Sequence, residues 1–141
     1  MKVLIDPYLR GNPAAPASAE KLEPDAIAVT HGHADHLGDA EDIARRTGSP
    51  VLAVSEVARF LDRRGVLSEG MNIGGTFRVA DVSFTMTQAI HSSDITVTDP
   101  PTCGGDAAGF VIDDGIRVYH AGDTALFDDM RLIGDLYRPD V

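Results

Sequence analysis

The sequence predicts an α/β fold of the α+β kind, and three observations support this. Short apolar runs alternate with amphipathic stretches over residues 2–65, which is typical of strands joined by helices. Beyond residue 80 the hydrophobic period changes to two, and Asp114-Gly115 separates two apolar runs, which predicts antiparallel strands and a hairpin. Hydrophobic residues make up 43% of the 141-residue chain, enough for a packed core, so residues 1–141 are taken as one domain.

Three buried strands and two helices are predicted in the first half. The strands are KVLID (2–6), AIAVT (26–30) and VLAV (51–54), with a Pro-, Ala- and Gly-rich loop over residues 11–24. The first helix has apolar residues at helical spacing, namely Leu37, Ala40, Ile43 and Ala44, and it closes at Gly48 and Pro50. Ser55 is expected to cap the second helix, which carries Val57, Phe60 and Leu61 and ends at Gly65.

Antiparallel strands and one helix are predicted in the second half. VSFTMTQ (82–88) alternates apolar and polar residues, as in a half-exposed strand. GFVID and IRVYH form the hairpin around Asp114-Gly115. Thr124 is expected to lead a final helix with four apolar positions, which are Leu126, Met130, Ile133 and Leu136.

Charge and composition exclude several classes of protein. The formal net charge of -10 argues against a nucleic-acid or anionic-membrane surface. Cys103 is the only cysteine, so an internal disulfide framework and a thiolate metal cluster are excluded. No apolar run is long enough to span a bilayer, and the N-terminus lacks a signal-peptide pattern. A cytoplasmic protein is therefore expected.

The segment VTHGHADHLGD (29–39) predicts a metal site. In an extended stretch, residues two apart point the same way, so His31 and His33 can aim at one point. Asp35 and His36 lie on the following turn and can aim at a second point nearby. Imidazole and carboxylate ligands suit zinc, manganese and iron. The alternative is a polar loop that caps a helix, with Asp35 as the N-cap, but the density of functional residues favours a metal.

Other candidate ligands lie farther along the chain. His91 follows the alternating strand. A lone histidine at such a position is more often a surface residue, but the histidine-rich segment upstream makes a metal ligand the preferred interpretation. Asp123 follows a strand and, taken alone, would be a turn or helix-start residue. Asp6 ends the first strand and, taken alone, is a turn residue.

These motifs together resemble one family. HGHADH resembles the metal-binding motif of the metallo-β-lactamase superfamily. With LIDPYL, AIHSSDI, AAGFVID and YHAGDTALFDDM, the chain from Val3 to Val141 resembles a bacterial and archaeal branch of uncharacterised metal-dependent hydrolases similar to the ascorbate-phosphate lactonases. The resemblance implies an αββα sandwich holding one or two metals at the edge between its sheets.

The resemblance also implies a role for each candidate residue. His31, His33 and His91 would bind the first metal, Asp35 and His36 the second, and Asp123 would bridge them. Asp6 would support the histidine loop. His120 matches no ligand position and is expected to lie near the site.

The chain departs from the family pattern at both ends. Family members usually begin with a further hairpin before LIDP and continue past RPDV, in a tail that carries the last ligand of the second metal. No histidine follows His120 in this sequence. We therefore expect an incomplete sandwich that is a segment of a longer protein, with the second metal weakened more than the first.

The expected activity is hydrolysis of a small-molecule ester, lactone or phosphodiester by a metal-bound hydroxide. Asp35 and Asp123 are the expected catalytic groups, which would orient the nucleophile or accept its proton. Zinc is the expected metal, as one or two ions, with manganese and iron as alternatives. The sequence is also compatible with a homo-oligomer. Ser92 and Ser93 are expected to be loop residues. The competing hypothesis is a non-catalytic metal-binding or interaction module, or an inactive fragment of the hydrolase.

Overall fold

A computed structural model describes residues 1–141 as two four-stranded sheets with short helices. The first sheet has the order β1-β2-β3-β4 and is parallel throughout; its strands are Val3–Ile5, Ala26–Ala28, Val51–Val54 and Ser68–Met71. The second has the order β5-β6-β7-β8 and is antiparallel; its strands are Thr76–Val79, Val82–Gln88, Ala108–Asp113 and Arg117–His120. The helices are α1 (Ala34–Leu37), α2 (Ala40–Thr47), α3 (Ser55–Asp62) and α4 (Asp129–Tyr137), and a single 3-10 turn covers Ala19–Lys21. This architecture confirms the predicted fold class.

The parallel sheet brings together the chain segments that follow β1 and β2. Its inner strands are entirely buried, as their continuous apolar sequences predict. Ile5 pairs with Ala28 at the carboxyl ends of β1 and β2. Asp6 and the segment beginning at Val29 therefore leave the sheet at the same edge, and the histidine loop begins there.

The prediction of a half-exposed strand over residues 82–88 is wrong, because both faces of β6 are buried. Phe84 and Met86 join a hydrophobic cluster that also contains Ile27 and Leu52 of the first sheet. On the opposite face, Thr87 is buried and lines a cleft together with Ile133 of α4. The strand is antiparallel as predicted, but Thr87 of the alternating pattern is covered on the side of α4 rather than exposed.

Two helix boundaries also differ from the predictions. The helix expected around Leu37–Ala44 is divided at Gly38, whose φ is +44°, and a Cβ there would lie 2.6 Å from the carbonyl oxygen of Pro7. Ser55 is the first residue of α3 rather than its cap, and its hydroxyl donates to the carbonyl of Met71.

The last helix begins at Asp129 rather than near Thr124. The Thr124 hydroxyl accepts a hydrogen bond from the backbone N–H of Ile90, which holds this segment beside β6 before the helix starts. Within α4 only Ile133 is buried, while Leu132 and Leu136 are exposed, as is Leu126 before it. No helix in the structure has both the length and the apolar character needed to cross a bilayer.

Candidate metal centre

Four connecting segments meet at one edge of the two sheets. Two follow strands of the first sheet and carry Asp6 and the histidine loop, while two follow β6 and β8 of the second and carry His91 and Asp123. The donor atoms form two groups, each within 4.8 Å, and His31 belongs to both. The members are His31, His33 and His91 in one group, and His31, His36 and Asp123 in the other.

Two glycines allow these segments to approach closely. A Cβ on Gly32 would lie 2.8 Å from the carbonyl oxygen of Ser93. Gly122 has a φ of +66°, and a Cβ there would lie 2.5 Å from the carbonyl oxygen of Ala108 and 3.1 Å from Cβ of Thr30. The absent side chains let the segments from the second sheet lie directly against the histidine loop, which places His91 and Asp123 beside it.

Asp6 supports the histidine loop, as the resemblance implied. Its φ of +46° lies in the left-handed region that aspartate tolerates better than most residues. One carboxylate oxygen accepts a hydrogen bond from the backbone N–H of Thr30 at 2.8 Å. The other accepts from the Thr30 hydroxyl at 2.7 Å and lies 2.8 Å from Nδ1 of His36. The carboxylate therefore fixes both the start of the loop and the orientation of one imidazole.

Three histidines each contact an outer polar group through one ring nitrogen. His31 Nδ1 lies 3.0 Å from the Thr30 hydroxyl, and His33 Nε2 lies 3.2 Å from the Ser92 hydroxyl. His36 uses Nδ1 toward Asp6. The second nitrogen of each ring points toward the donor groups, and His31 Nε2 is 2.9 Å from His33 Nδ1. Metal-binding histidines are held in this way, with one nitrogen anchored and the other available.

The surroundings shift the pKa values of two of these imidazoles in opposite directions. Burial, together with the nearby His36 and His33, lowers the pKa of His31 to about 4. The hydrogen bond to Asp6 raises the pKa of His36 above its usual 6.5. In the metal-free protein His31 is therefore neutral at pH 7, and a neutral imidazole is the form that binds a metal.

The structure brings together five of the six predicted ligands. Asp123 lies with its carboxylate 3.3 Å from Nε2 of His36 and 3.8 Å from Nε2 of His91. Asp35 is not in either donor group: it lies on the first turn of α1, is 65% exposed, and approaches Nε2 of His36 only to 3.8 Å. The grouping of His36 with His31 also differs from the arrangement that the resemblance implied.

Two polar residues at the site were not predicted as part of it. Thr30 and Ser92 each stand next to a candidate ligand in sequence, but a hydroxyl beside a histidine gives no signal of which ring it will contact. Ser92 is a loop residue, as expected, and it also contacts His33. His120 is near the site without joining a donor group, and its Nδ1 accepts a hydrogen bond from the N–H of Gly122.

The donor set fits a divalent ion. Three imidazoles in one group, and two imidazoles with a carboxylate in the other, are ligand sets used for zinc, and they also suit manganese and iron. The inward-facing nitrogens lie too close together to be explained as separate surface histidines. Two sheets with a histidine-rich loop at their shared edge define the metallo-β-lactamase class of fold.

The chain belongs to the family described as the beta-lactamase superfamily domain, whose model matches residues 1–141. It is similar to proteins named UPF0173 metal-dependent hydrolase, with 52% identity to that of Methanosarcina mazei and 51% to that of Archaeoglobus fulgidus. The matches cover 99% and 100% of this chain and 61% and 62% of those relatives. The chain therefore spans about three fifths of the length of the relatives it matches.

Solved structures show the same fold. A metallo hydrolase from Ignicoccus hospitalis, named Igni18, aligns with a TM-score of 0.82 and 36% identity, over 97% of this chain and 59% of that one. An isothiocyanate hydrolase from Delia radicum gut bacteria aligns with a TM-score of 0.70 over 98% of this chain and 62% of that one. At 22% identity, the second likeness shows the fold alone. The relatives support the family that the motifs predicted.

Proposed function

We propose that this chain carries the metal-binding centre of a metal-dependent hydrolase that acts on a small-molecule ester, lactone or phosphodiester. One observation carries the proposal: donor atoms of His31, His33, His36, His91 and Asp123 converge from both sheets into two groups that share His31. The names of the relatives support hydrolysis as the class of reaction.

The proposed ligands are the five convergent residues, with Asp35 as a sixth that would have to turn toward the site. Zinc is the proposed metal, as one or two ions, with manganese and iron as alternatives. When bound, such an ion supplies Lewis acidity to the substrate oxygen and lowers the pKa of a coordinated water toward about 7. The anchored rings of His31 and His36 would keep their inward nitrogens in place without rearrangement.

Asp35 and Asp123 are proposed to accept the proton of the attacking water. Asp123 is half exposed and Asp35 more so, and both face the same histidine, so a water molecule can reach either carboxylate from solvent. Either one would orient the attacking water and accept its proton. We propose a cytoplasmic protein without a nucleic-acid partner, in keeping with its acidic charge.

Metal content per chain, measured by plasma mass spectrometry, tests the proposal. The variants are His33→Ala and Asp123→Ala, and the matched control is His120→Ala, which removes a histidine beside the site but outside both donor groups. We expect metal in the wild type, a loss in the first two variants and little change in the control. Hydrolysis of ester, lactone and phosphodiester panels should follow the metal content.

Two results would contradict the proposal in different ways. Equal metal content in all four proteins would mean that the ligands are wrong. Stoichiometric metal without hydrolysis on any panel would favour the non-catalytic module instead.

A further inference from the structure

We propose that Thr30 is a positioning residue whose single hydroxyl links His31 to Asp6, so that one carboxylate sets the tautomer of two candidate metal ligands. The inference rests on the proposed function, because it concerns the same metal centre. It gives a role to a residue that is not itself a candidate ligand.

One carboxylate oxygen of Asp6 accepts two hydrogen bonds. An ionised carboxylate only accepts hydrogen bonds, and it takes the Thr30 hydroxyl proton at 2.7 Å and the Nδ1–H of His36 at 2.8 Å on the same oxygen. The Thr30 hydroxyl has one proton, which this bond uses. Its lone pairs are then free to accept from Nδ1–H of His31, 3.0 Å away. His31 is therefore protonated at Nδ1.

The consequence for the centre is that Nε2 of His31 carries a lone pair directed inward. That nitrogen is 2.9 Å from Nδ1 of His33, so in the metal-free protein it accepts the Nδ1–H of His33. Ser92 can serve His33 in either tautomer, since its hydroxyl both donates and accepts. His31 thus has a fixed tautomer suited to a metal, whereas His33 must move its proton from Nδ1 to Nε2, facing Ser92, before Nδ1 can bind a metal.

Water cannot replace the Thr30 hydroxyl, because Thr30 and His31 are both 0% exposed. Without the hydroxyl, a proton on Nδ1 of His31 would be buried without an acceptor, which carries a large penalty. The ring would then favour protonation on Nε2, the nitrogen that the metal needs. His36 keeps its direct bond to Asp6 and is not affected.

The substitution Thr30→Val tests this, because valine keeps the branched shape and removes both side-chain hydrogen bonds. Thr30→Ser is the matched control, since it keeps the hydroxyl and loses only a methyl group. Asp6→Asn is a third variant, expected to disturb both His31 and His36.

The first readout is the ring tautomer in the metal-free protein, measured by long-range proton–nitrogen NMR at about pH 8, where unperturbed imidazoles are neutral. We expect His31 and His36 both protonated on Nδ1 in the wild type and in Thr30→Ser. In Thr30→Val, His31 should shift toward Nε2 protonation while His36 stays unchanged. A wild-type His31 protonated on Nε2 would overturn the inference even if no variant folds.

The second readout is the affinity for Zn²⁺, measured by competition with a chelator. Removing a group that orients a metal ligand typically costs 10–100-fold in affinity, and we expect about this loss in Thr30→Val. Thr30→Ser should stay within a few-fold of the wild type. Equal affinity in Thr30→Val and the wild type would refute the role of the hydroxyl.

These readouts separate the inference from the proposed function. A wild type that binds no Zn²⁺ would contradict the proposed function, and the tautomers would still decide whether Thr30 sets the orientation of His31. A wild type that binds Zn²⁺ with unchanged tautomers in all variants would leave the proposed function standing and refute the inference.

Discussion

Replacing Gly122 by alanine tests whether close packing of two segments builds the candidate site. The φ of +66° puts an alanine in the left-handed region, at a cost of about 1–2 kcal/mol. The new Cβ would also lie 2.5 Å from a backbone oxygen of Ala108 and 3.1 Å from Thr30, and relieving such overpacking costs about 1–3 kcal/mol. The expected loss in the free energy of unfolding is therefore about 2–5 kcal/mol.

Urea unfolding of the metal-free chain, followed by circular dichroism, measures this loss. Gly48→Ala is the matched control, because Gly48 has a φ of +76° and nothing lies within 4 Å of the position of its Cβ. It should lose only the backbone term, about 1–2 kcal/mol. Equal losses in the two variants would show that Gly122 is not closely packed against β7 and Thr30. Gly122→Ala should also reduce metal content, since relieving the contact displaces the adjacent Asp123.

Three further outcomes are expected. Phe84→Ala should lower the free energy of unfolding by about 3–5 kcal/mol in urea titrations, because Phe84 is 0% exposed between the sheets. Ser92→Ala should weaken Zn²⁺ binding in chelator competition, since His33 loses its outer partner, and an unchanged affinity would count against that contact. The metal-free chain should lose stability from His31 as pH falls from about 6.5 toward about 4, because burial keeps that imidazole neutral only in the folded state. A His31→Asn variant should therefore show a smaller fall in the urea unfolding midpoint over this pH range. The raised pKa of His36 acts in the opposite sense, because its contribution to stability is lost as pH rises through that pKa.

The first three parallel strands could be predicted because each is a short apolar run in the sequence. β4 could not, since Ser68 and Glu69 are polar and the strand is defined only by pairing with β3 at the edge of the sheet. β5 was likewise missed, because half of its residues face solvent and its partner is the following strand. Edge strands depend on neighbours that a hydrophobic pattern does not reveal.

The candidate site divides in a similar way. His31 and His33 form a local pair, so their convergence could be predicted from spacing, whereas the grouping of His36 with His31 was not expected. The link from Thr30 to Asp6 joins residues 24 positions apart and depends on the register of β1 against β2, which no local pattern contains. The apolar residues of the last helix show the same limit, since periodicity identified Ile133 and Leu136 alike and only Ile133 is buried.

The donor groups contain residues from both sheets, so metal binding would also stabilise the packing of one sheet against the other. His31 leaves the parallel sheet, whereas His91 and Asp123 leave the antiparallel one. An ion held in either group would cross-link the two sheets, and that link exists only while the sheets are packed together. By mass action, a ligand at 100 times its dissociation constant stabilises the folded state by about 2.7 kcal/mol. The fraction of chains that are folded would then depend on the supply of free metal in their surroundings.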